Sequence, residues 1–593
     1  MRMWMRRLPA LTAAFALLCP APASAANLSP ARWPEAERSR LEAREAAVMP
    51  AASRAVEGRS LVAGTGSPFA VRAGLEALRQ GGSAADAAIA TALTQVSDWT
   101  GANISYAGVA QLVYYDASSR RVFAMDAGWN SWRGETSPHT LPEPDLSAIV
   151  GGDSRSAGAA GRKVLVPGFM AGMEAAHRRF GRLGFGDLFQ PAIWQAEQGI
   201  RLTALHAAWF GMGGKYLAQT PQGRRFAAGA GPAAPRAGDL FRQPELAAFL
   251  RDAARNGAAP MYRGAWARDF VSAVNAAGGH ASLAEMRDYK VRWSEPMATD
   301  FAGSRVYGPG ETNMSGCAVL EALNLIGHSA ARRPYWQDAA SLRSVALATR
   351  AGQFAGAAPE AAAAIEKAAF GLGGSCRARL DPAFGKAAAG RIERLLQGEK
   401  SEEGHHSASV VAIDRWGNVA ALVHSNNSPL WGETGIVVQG VAIPSPAPIY
   451  RHVLVRTRPG DRLASDMAPV IALRGGRPAL AVAAIGVSVV QETVRLVDAL
   501  LRSDAEPAAA MAAPPLLLNV DQSQSFATRA EIVPAGAYPP AMLDQLRAAG
   551  LKVEEVDAAR ALALRGTAVF GLVGAAGVRS VEVPGVLGFV EAE

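Results

Sequence analysis

A hydroxyl residue, an apolar run and an Asp-x-x-Gly-Asn turn follow one another from Ser407 to Asn418, and this stretch most limits how the chain can fold. Residues 409–413 are Ser-Val-Val-Ala-Ile, a run suited to a buried strand. Asp414-Arg415-Trp416-Gly417-Asn418 is tight-turn chemistry. A second apolar run at 419–423 leads into His424-Ser425-Asn426-Asn427. Two such runs around a Gly-Asn turn predict a β-hairpin with Ser407 at the head of its first strand.

The chain has 593 residues, room on length alone for two to four domains. About half are hydrophobic and 19% are charged, ordinary for a globular protein. Residues 1–25 have the form of a secretory signal: a basic start with Arg2, Arg6 and Arg7, an apolar core at 8–18, and Ala23-Ser24-Ala25 as the cleavage site. A lipid anchor on Cys19 is disfavoured because Leu17-Leu18 is too bulky before it. No other segment is apolar and long enough to span a bilayer, so a soluble periplasmic or secreted protein without membrane anchor is expected. The formal charge of +8 becomes +5 without the three leader arginines. The basic residues are dispersed, which excludes a nucleic-acid footprint. Cys317 and Cys376 remain after the leader; a disulfide and two buried thiols both fit.

Residues 26–58 read as a helix or arm and 61–64 as a short strand. Residues 68–79 and 83–96 read as helices, the second with Ser83 as N-cap. Residues 109–115 and 121–125 form a hairpin, and 168–180 and 188–199 further helices. The stretch 200–300 is mostly helical, with a short strand at 305–307. Residues 377–403, rich in Gly, Lys and Glu, are the least ordered candidate. Beyond Ser407 strands are expected at 409–413, 419–423, 435–443, 469–473 and 479–485, then a helix at 491–501 and a final α+β stretch. There is no internal repeat.

The hairpin resembles the start of the small subunit of γ-glutamyltranspeptidases, and further stretches carry the same resemblance. These are residues 70–96 (AVRAGLEALRQGGSAADAAIATALTQV), Val166-Pro167-Gly168 with residues 176–183, Tyr262-Arg263-Gly264, and Ala276-Ala277-Gly278-Gly279. The resemblance implies an α+β fold, the four-layer αββα sandwich of N-terminal nucleophile hydrolases. It implies a precursor that cuts itself before a Thr, here Ser407. The bond cut is His406–Ser407, giving a large fragment 26–406 (helix-rich) and a small fragment 407–593 (strand-rich) that associate as a heterodimer in one αββα unit. In that chemistry one residue supplies nucleophile and base: its hydroxyl attacks, and its freed α-amine takes the proton.

Carried over residue by residue, Ser425 stands where the family has a Thr contacting the nucleophile, and Asn427 matches an Asn of the site. Gly486-Val487 matches the oxyanion Gly-Gly pair; backbone N–H groups make that hole, so Val487 is compatible with it. Ser465-Asp466 matches a Ser-Ser pair that meets substrate. The sequence departs elsewhere. Gly128 occupies the place of the Arg that holds the substrate carboxylate, with Arg133 a candidate substitute. Residues 443–448 (Ile-Pro-Ser-Pro-Ala-Pro) lack the Gln and Asp that hold the α-amine. Charge-assisted Arg–carboxylate contacts are strong and geometrically specific, so glutathione is expected to be a poor substrate. A bulkier or less charged acyl group near Trp129 and Trp431 is expected instead.

Other constellations carry less. His405-His406 would point to opposite faces of a strand and have no third ligand at a recognisable spacing, so no metal is expected. There is no Gly-x-Ser-x-Gly elbow, and Gly64-Thr65-Gly66 is a turn rather than a nucleotide loop. His424 is either near the site or packed. No cofactor is expected. The leading reading is an exported, self-processing amide hydrolase or acyltransferase acting on a small-molecule amide or peptide. The alternatives are a non-catalytic binding protein on the same fold and an acylase for non-glutamyl amides.

Overall fold

The computed structural model describes residues 26–142, 158–231, 233–396, 407–520 and 528–593. Two seven-stranded antiparallel sheets form its centre. One, the nucleophile sheet, runs Gly588–Ala592, Leu61–Thr65, Ser407–Ile413, Val419–Ser425, Val109–Asp116, Arg121–Ala127, Arg292–Ser294. The facing sheet runs Arg54–Gly58, Gly577–Glu582, Gly566–Gly574, Arg477–Gly486, Val470–Arg474, Ser304–Gly308, Met297–Phe301.

Side-chain alternation along the strands makes the layers. In the expected hairpin, Val411, Ile413, Val419, Ala421 and Val423 point into the cluster between the sheets. Ala408, Val410, Ala412, Ala420 and Leu422 point the other way, into a cluster shared with the helices Ala84–Asp98 and Phe169–Phe180. The facing sheet repeats the pattern: Ile471, Ala481, Ala483 and Ile485 turn inward, while Val470, Val482 and Ala484 meet the helices Met314–Gly327, Ala339–Ala357 and Val489–Leu501. Strands apolar on both faces are what a sheet covered on both sides requires. The result is a four-layer αββα sandwich, as the resemblance implied. Each sheet takes strands from both sides of position 407.

Ser83 caps Ala84–Asp98 in a capping box with Asp86, and all fifteen residues of that helix are buried. Its N-terminus is tied to the hairpin turn. Asp414 Oδ2 accepts the Ala84 N–H at 2.9 Å, and Asp414 Oδ1 accepts the N–H groups of Trp416 and Asn418. Gly417, at φ 87°, closes the turn.

Several expectations change. Residues 377–396 are not loosely ordered: Cys376–Arg379, Pro382–Ala388 and Ala389–Leu396 are helical turns burying Phe384, Ile392, Leu395 and Leu396. Residues 397–403 lie outside the described residues, as do 1–25 and His405-His406. The strand expected at 435–443 is only a miniature hairpin, Val437–Val438 with Val441–Ala442, because Gln439 and Gly440 turn at positive φ. The arm at 26–58 holds the helix Glu35–Ala46 but ends in an edge strand, Arg54–Gly58. Cys317 and Cys376 are joined in a disulfide, Cα–Cα 5.9 Å. Among the described residues no helix is long and apolar enough to cross a membrane.

Candidate active site

Ser407 heads a central strand of the nucleophile sheet. Its register with Leu61–Thr65 begins only at Val410, so residues 407–409 extend beyond that pairing. The Ser409 N–H is taken instead by the Thr65 hydroxyl at 2.9 Å. On the other side Ser407 lies directly opposite Ser425, which puts their side chains next to each other on one face. That face is the inter-sheet one, by parity with Val411 and Ile413. At this end of the sandwich it opens into a cavity of about 280 Å³ that Ser407 helps to line.

Gly486 lines the same cavity, at the end of the strand Arg477–Gly486. Its φ is 92°, and a Cβ there would lie 2.7 Å from the Arg565 carbonyl oxygen, so only glycine fits. Val487 follows, with its side chain packed among Leu517, Leu518 and Ile532. The helix Val489–Leu501 then begins at once. The 486–487 amides thus stand beside the positive pole of a thirteen-residue helix, a favourable place for a developing oxyanion.

Ser425 Oγ accepts the N–H of Asn427 at 2.9 Å. Asn427 is fully buried with φ 45°. Its Oδ1 accepts the Trp129 indole N–H at 3.1 Å, and its Nδ2 faces both carboxylate oxygens of Asp466 at 3.4 Å. Tyr450 donates to Asp466 Oδ1 at 2.7 Å. Burial first, then the Asp466 charge, holds the Tyr450 phenol far above its ordinary range, so it stays a donor. Trp129, Asn427, Asp466 and Tyr450 form one connected buried network. Ser465 lies beside it, its carbonyl accepting the Met314 N–H at 2.7 Å.

Neither Trp129 nor Trp431 lines the cavity. Trp129 packs between the sheets, and Trp431 stacks on Phe210 with its N–H given to the Thr100 carbonyl. Arg133 does not line the cavity either: its side chain is 66% exposed, 4.0 Å from Asp288. An arginine unforeseen in sequence, Arg462, sits against Gly128. It is buried, with its guanidinium spent on Asn130 Oδ1, the carbonyls of Asp126 and Lys290, and the Asp126 carboxylate. A Cβ at Gly128 would stand 2.7 Å from that carboxylate. The space beside Gly128 is therefore filled by the protein's own Arg462–Asp126 ion pair.

His424 belongs to the other face. It pairs with Ala408, stacks on Phe169 and meets Gln95 Oε1 through Nε2 at 2.9 Å. Burial pushes its pKa down to about 3, so the ring is neutral. Among the described residues, those lining the cavity include no His, Asp, Glu, Lys or Cys; the titratable ones are Tyr216 and Arg565. Asn103 also lines it, with a buried Oδ1 that has no hydrogen-bond partner. Asn103 and Arg565 belong to no motif, and only the fold brings them here. Among the described residues no group of three or more His, Cys, Asp or Glu is placed to hold a metal.

Two face-to-face sheets between helical layers, with a hydroxyl residue at the head of a central strand, define the N-terminal nucleophile hydrolase class. A sequence profile described as gamma-glutamyltranspeptidase matches residues 70–583, and the chain belongs to this family of enzymes. It is similar to the glutathione hydrolase proenzyme of Pseudomonas aeruginosa, 26% identical over 452 residues that cover 70% of this chain and 75% of that one. It is also similar to the acylase ACY 1 proenzyme of Pseudomonas sp. strain SE83, 27% identical over 472 residues, 73% of this chain and 79% of that one. Its fold is that of the cephalosporin acylase of Bacillus halodurans, with a TM-score of 0.75 at 20% identity over 92% of this chain and 98% of that one.

Proposed function

We propose that the protein is an exported amide hydrolase or acyltransferase that cuts its own His406–Ser407 bond and then uses Ser407 as N-terminal nucleophile. The observation that carries this reading is the chemistry of the cavity wall. Among the described residues Ser407 shares the cavity with no carboxylate, imidazole or amine side chain, and the adjacent imidazole, His424, faces away and is neutral. A serine needs a base. An α-amine on Ser407 itself supplies one at the right distance, with an ordinary pKa of about 7.7–8.0.

In the precursor the Ser407 oxygen attacks the His406 carbonyl carbon. The peptide C–N bond breaks as the ester forms, and the proton passes to the departing amine. Water hydrolyses the ester and leaves a free Ser407. In turnover that amine takes the hydroxyl proton, Oγ attacks the substrate carbonyl, and the 486–487 amides receive the oxyanion. The proton passes to the leaving amine. Water or a second amine then releases the acyl group from Oγ. Ser425 flanks the nucleophile, and the Asn427–Asp466 network fixes the turn behind it. Ser465 and Asp466 would meet substrate only if this network opened.

The word proenzyme in the names of both relatives supports self-cleavage. The leader at 1–25 and the Cys317–Cys376 disulfide support export to an oxidising compartment. The Arg462–Asp126 ion pair filling the space beside Gly128 favours an acylase reading over glutathione hydrolysis. The decisive test is electrophoresis of the purified protein. Fragments 26–406 and 407–593 have 381 and 187 residues, about 40 and 20 kDa at 61.8 kDa per 593 residues. Wild type should show both, with N-termini near Ala26 and at Ser407. Ser407→Ala should stay whole, and Ser407→Thr should split. A folded wild type that never splits would favour the binding-protein alternative.

A further inference from the structure

The cavity wall is mostly apolar, with Asn103, Thr567 and Arg565 as its polar exceptions beside Ser407. One face of the helix Ala204–Leu217 presents Leu205, Trp209, Met212 and Tyr216 to it, a helical spacing of three to four residues turned toward Ser407's cavity. Trp99, Leu430, Ile485 and Leu587 add further apolar surface to the wall. Met212, 46% exposed, and Leu562, 62% exposed, stand at its rim as large hydrophobic side chains left in water. Isolated exposed hydrophobics need no explanation, but these two border the cavity that Ser407 lines.

Charge points the same way. Among the described residues the lining holds no carboxylate to receive an α-ammonium group. The cation it does hold, Arg565, donates to the Gly585 carbonyl at 2.9 Å and would repel such a group. The volume, about 280 Å³, lies at the small end of ligand sites, which run roughly 300–1,000 Å³. It suits one medium hydrocarbon chain or an aryl group.

We propose that the enzyme's substrate is an amide whose acyl half is an uncharged hydrocarbon, a medium alkyl chain or an aryl group, seated on the Leu205–Trp209–Met212–Tyr216 face. The acyl half is the occupant because it stays bonded to Ser407 Oγ after the amine has left, and so must rest in the cavity that Ser407 lines. This rests on the reading of Ser407 as nucleophile. The overall reaction is hydrolysis: the amide C–N bond breaks, water supplies the hydroxyl to the acyl carbon, and the amine leaves with the proton.

The test uses the processed wild-type protein and a series of N-acyl 4-nitroanilides from butanoyl to decanoyl, with γ-glutamyl and glutaryl 4-nitroanilides as competitors. Specificity constants should rise about threefold to fourfold per methylene until the cavity is full. Octanoyl should exceed γ-glutamyl and glutaryl by at least about a hundredfold, since several methylenes contribute together. Met212→Glu should lower decanoyl turnover about tenfold and flatten the chain-length series, while Met212→Leu should retain it. Thermal melting checks that both variants fold. Calorimetry with decanoate checks binding directly, and Met212→Glu should weaken it. A split protein with a flat series, or one that prefers glutaryl with loss on Arg565→Gln, overturns the proposal. So does a split protein that neither turns over these amides nor binds decanoate. Failure of the chain to split would instead count against the nucleophile assignment.

Discussion

His424 and Ser425 are neighbours in sequence, yet they serve different layers, and this separation shapes the site. The imidazole faces the helical layer, where burial holds its pKa at about 3 against an ordinary 6.5. Its Nδ1 is buried without a partner, so a second ring proton would have nowhere to go. The unfolded chain binds a proton below pH 6.5 and the folded chain does not. This contribution to stability is therefore complete above pH 6.5 and is lost as pH falls toward 3, by about 1.4 kcal/mol per pH unit. Urea unfolding at pH 7.5, 5.5 and 4.5 should show that decline, and His424→Gln should flatten it. On the reading of Ser407 as N-terminal nucleophile, the same variant should leave the alkaline-going limb of activity in place; a limb displaced by His424→Gln would make His424 the base. Gly486 supplies a second test. Alanine there meets both a positive φ and the Arg565 carbonyl oxygen, and the displaced amide should cost about 10²–10³ in kcat. Of these residues Ser407, Ser425, Asn427 and Gly486 could be singled out in the sequence through the family resemblance, with the hairpin pattern placing Ser407 at a strand head. Arg462 and Asn103 were not, because each reaches its place through contacts hundreds of positions apart in the chain or through a turn with no motif.

At the scale of elements, the capped helices and the Gly-Asn hairpin were readable because local chemistry and tertiary packing agree there. Residues 376–396 show the converse. The Gly, Lys and Glu content of 377–403 suggested low order, but within the described part Phe384, Ile392, Leu395 and Leu396 recur at spacings that fit short turns and bury against the helices of the facing sheet. A disulfide fixes the start of this segment. Cys376 joins Cys317 on the helix Met314–Gly327 across 59 residues, and Arg379 bonds Cys317 Sγ while pairing with Glu321 and Glu366. Closing a loop of that length is worth about 2–4 kcal/mol. Cys317→Ser, or wild type in reductant, should lose that amount in chemical denaturation. An unchanged midpoint would mean that the helical packing alone holds the segment.

At the scale of the molecule, position 407 divides the sequence but not the structure. Ser407–Ile413 lies between Leu61–Thr65 and Val419–Ser425, and the last strand, Gly588–Ala592, pairs with Leu61–Thr65. The facing sheet places Arg477–Gly486 and Val470–Arg474 between Gly566–Gly574 and Ser304–Gly308. Cutting before Ser407 would therefore remove one covalent bond and leave every strand pair intact. Either fragment alone would expose the unpaired edges and the inward faces that Val411, Ile413, Val423 and Ile471 now cover. Unpaired strand edges and large apolar faces lead to aggregation. The two fragments of the processed protein should thus co-elute in native gel filtration at the mass of the uncut chain and separate only in denaturant. Residues 26–406 and 407–593 expressed singly should be insoluble or unfolded by circular dichroism. A soluble, cooperatively melting 407–593 fragment would show that the small-fragment strands form a sheet by themselves, and the interleaved sandwich would then not be the unit of folding.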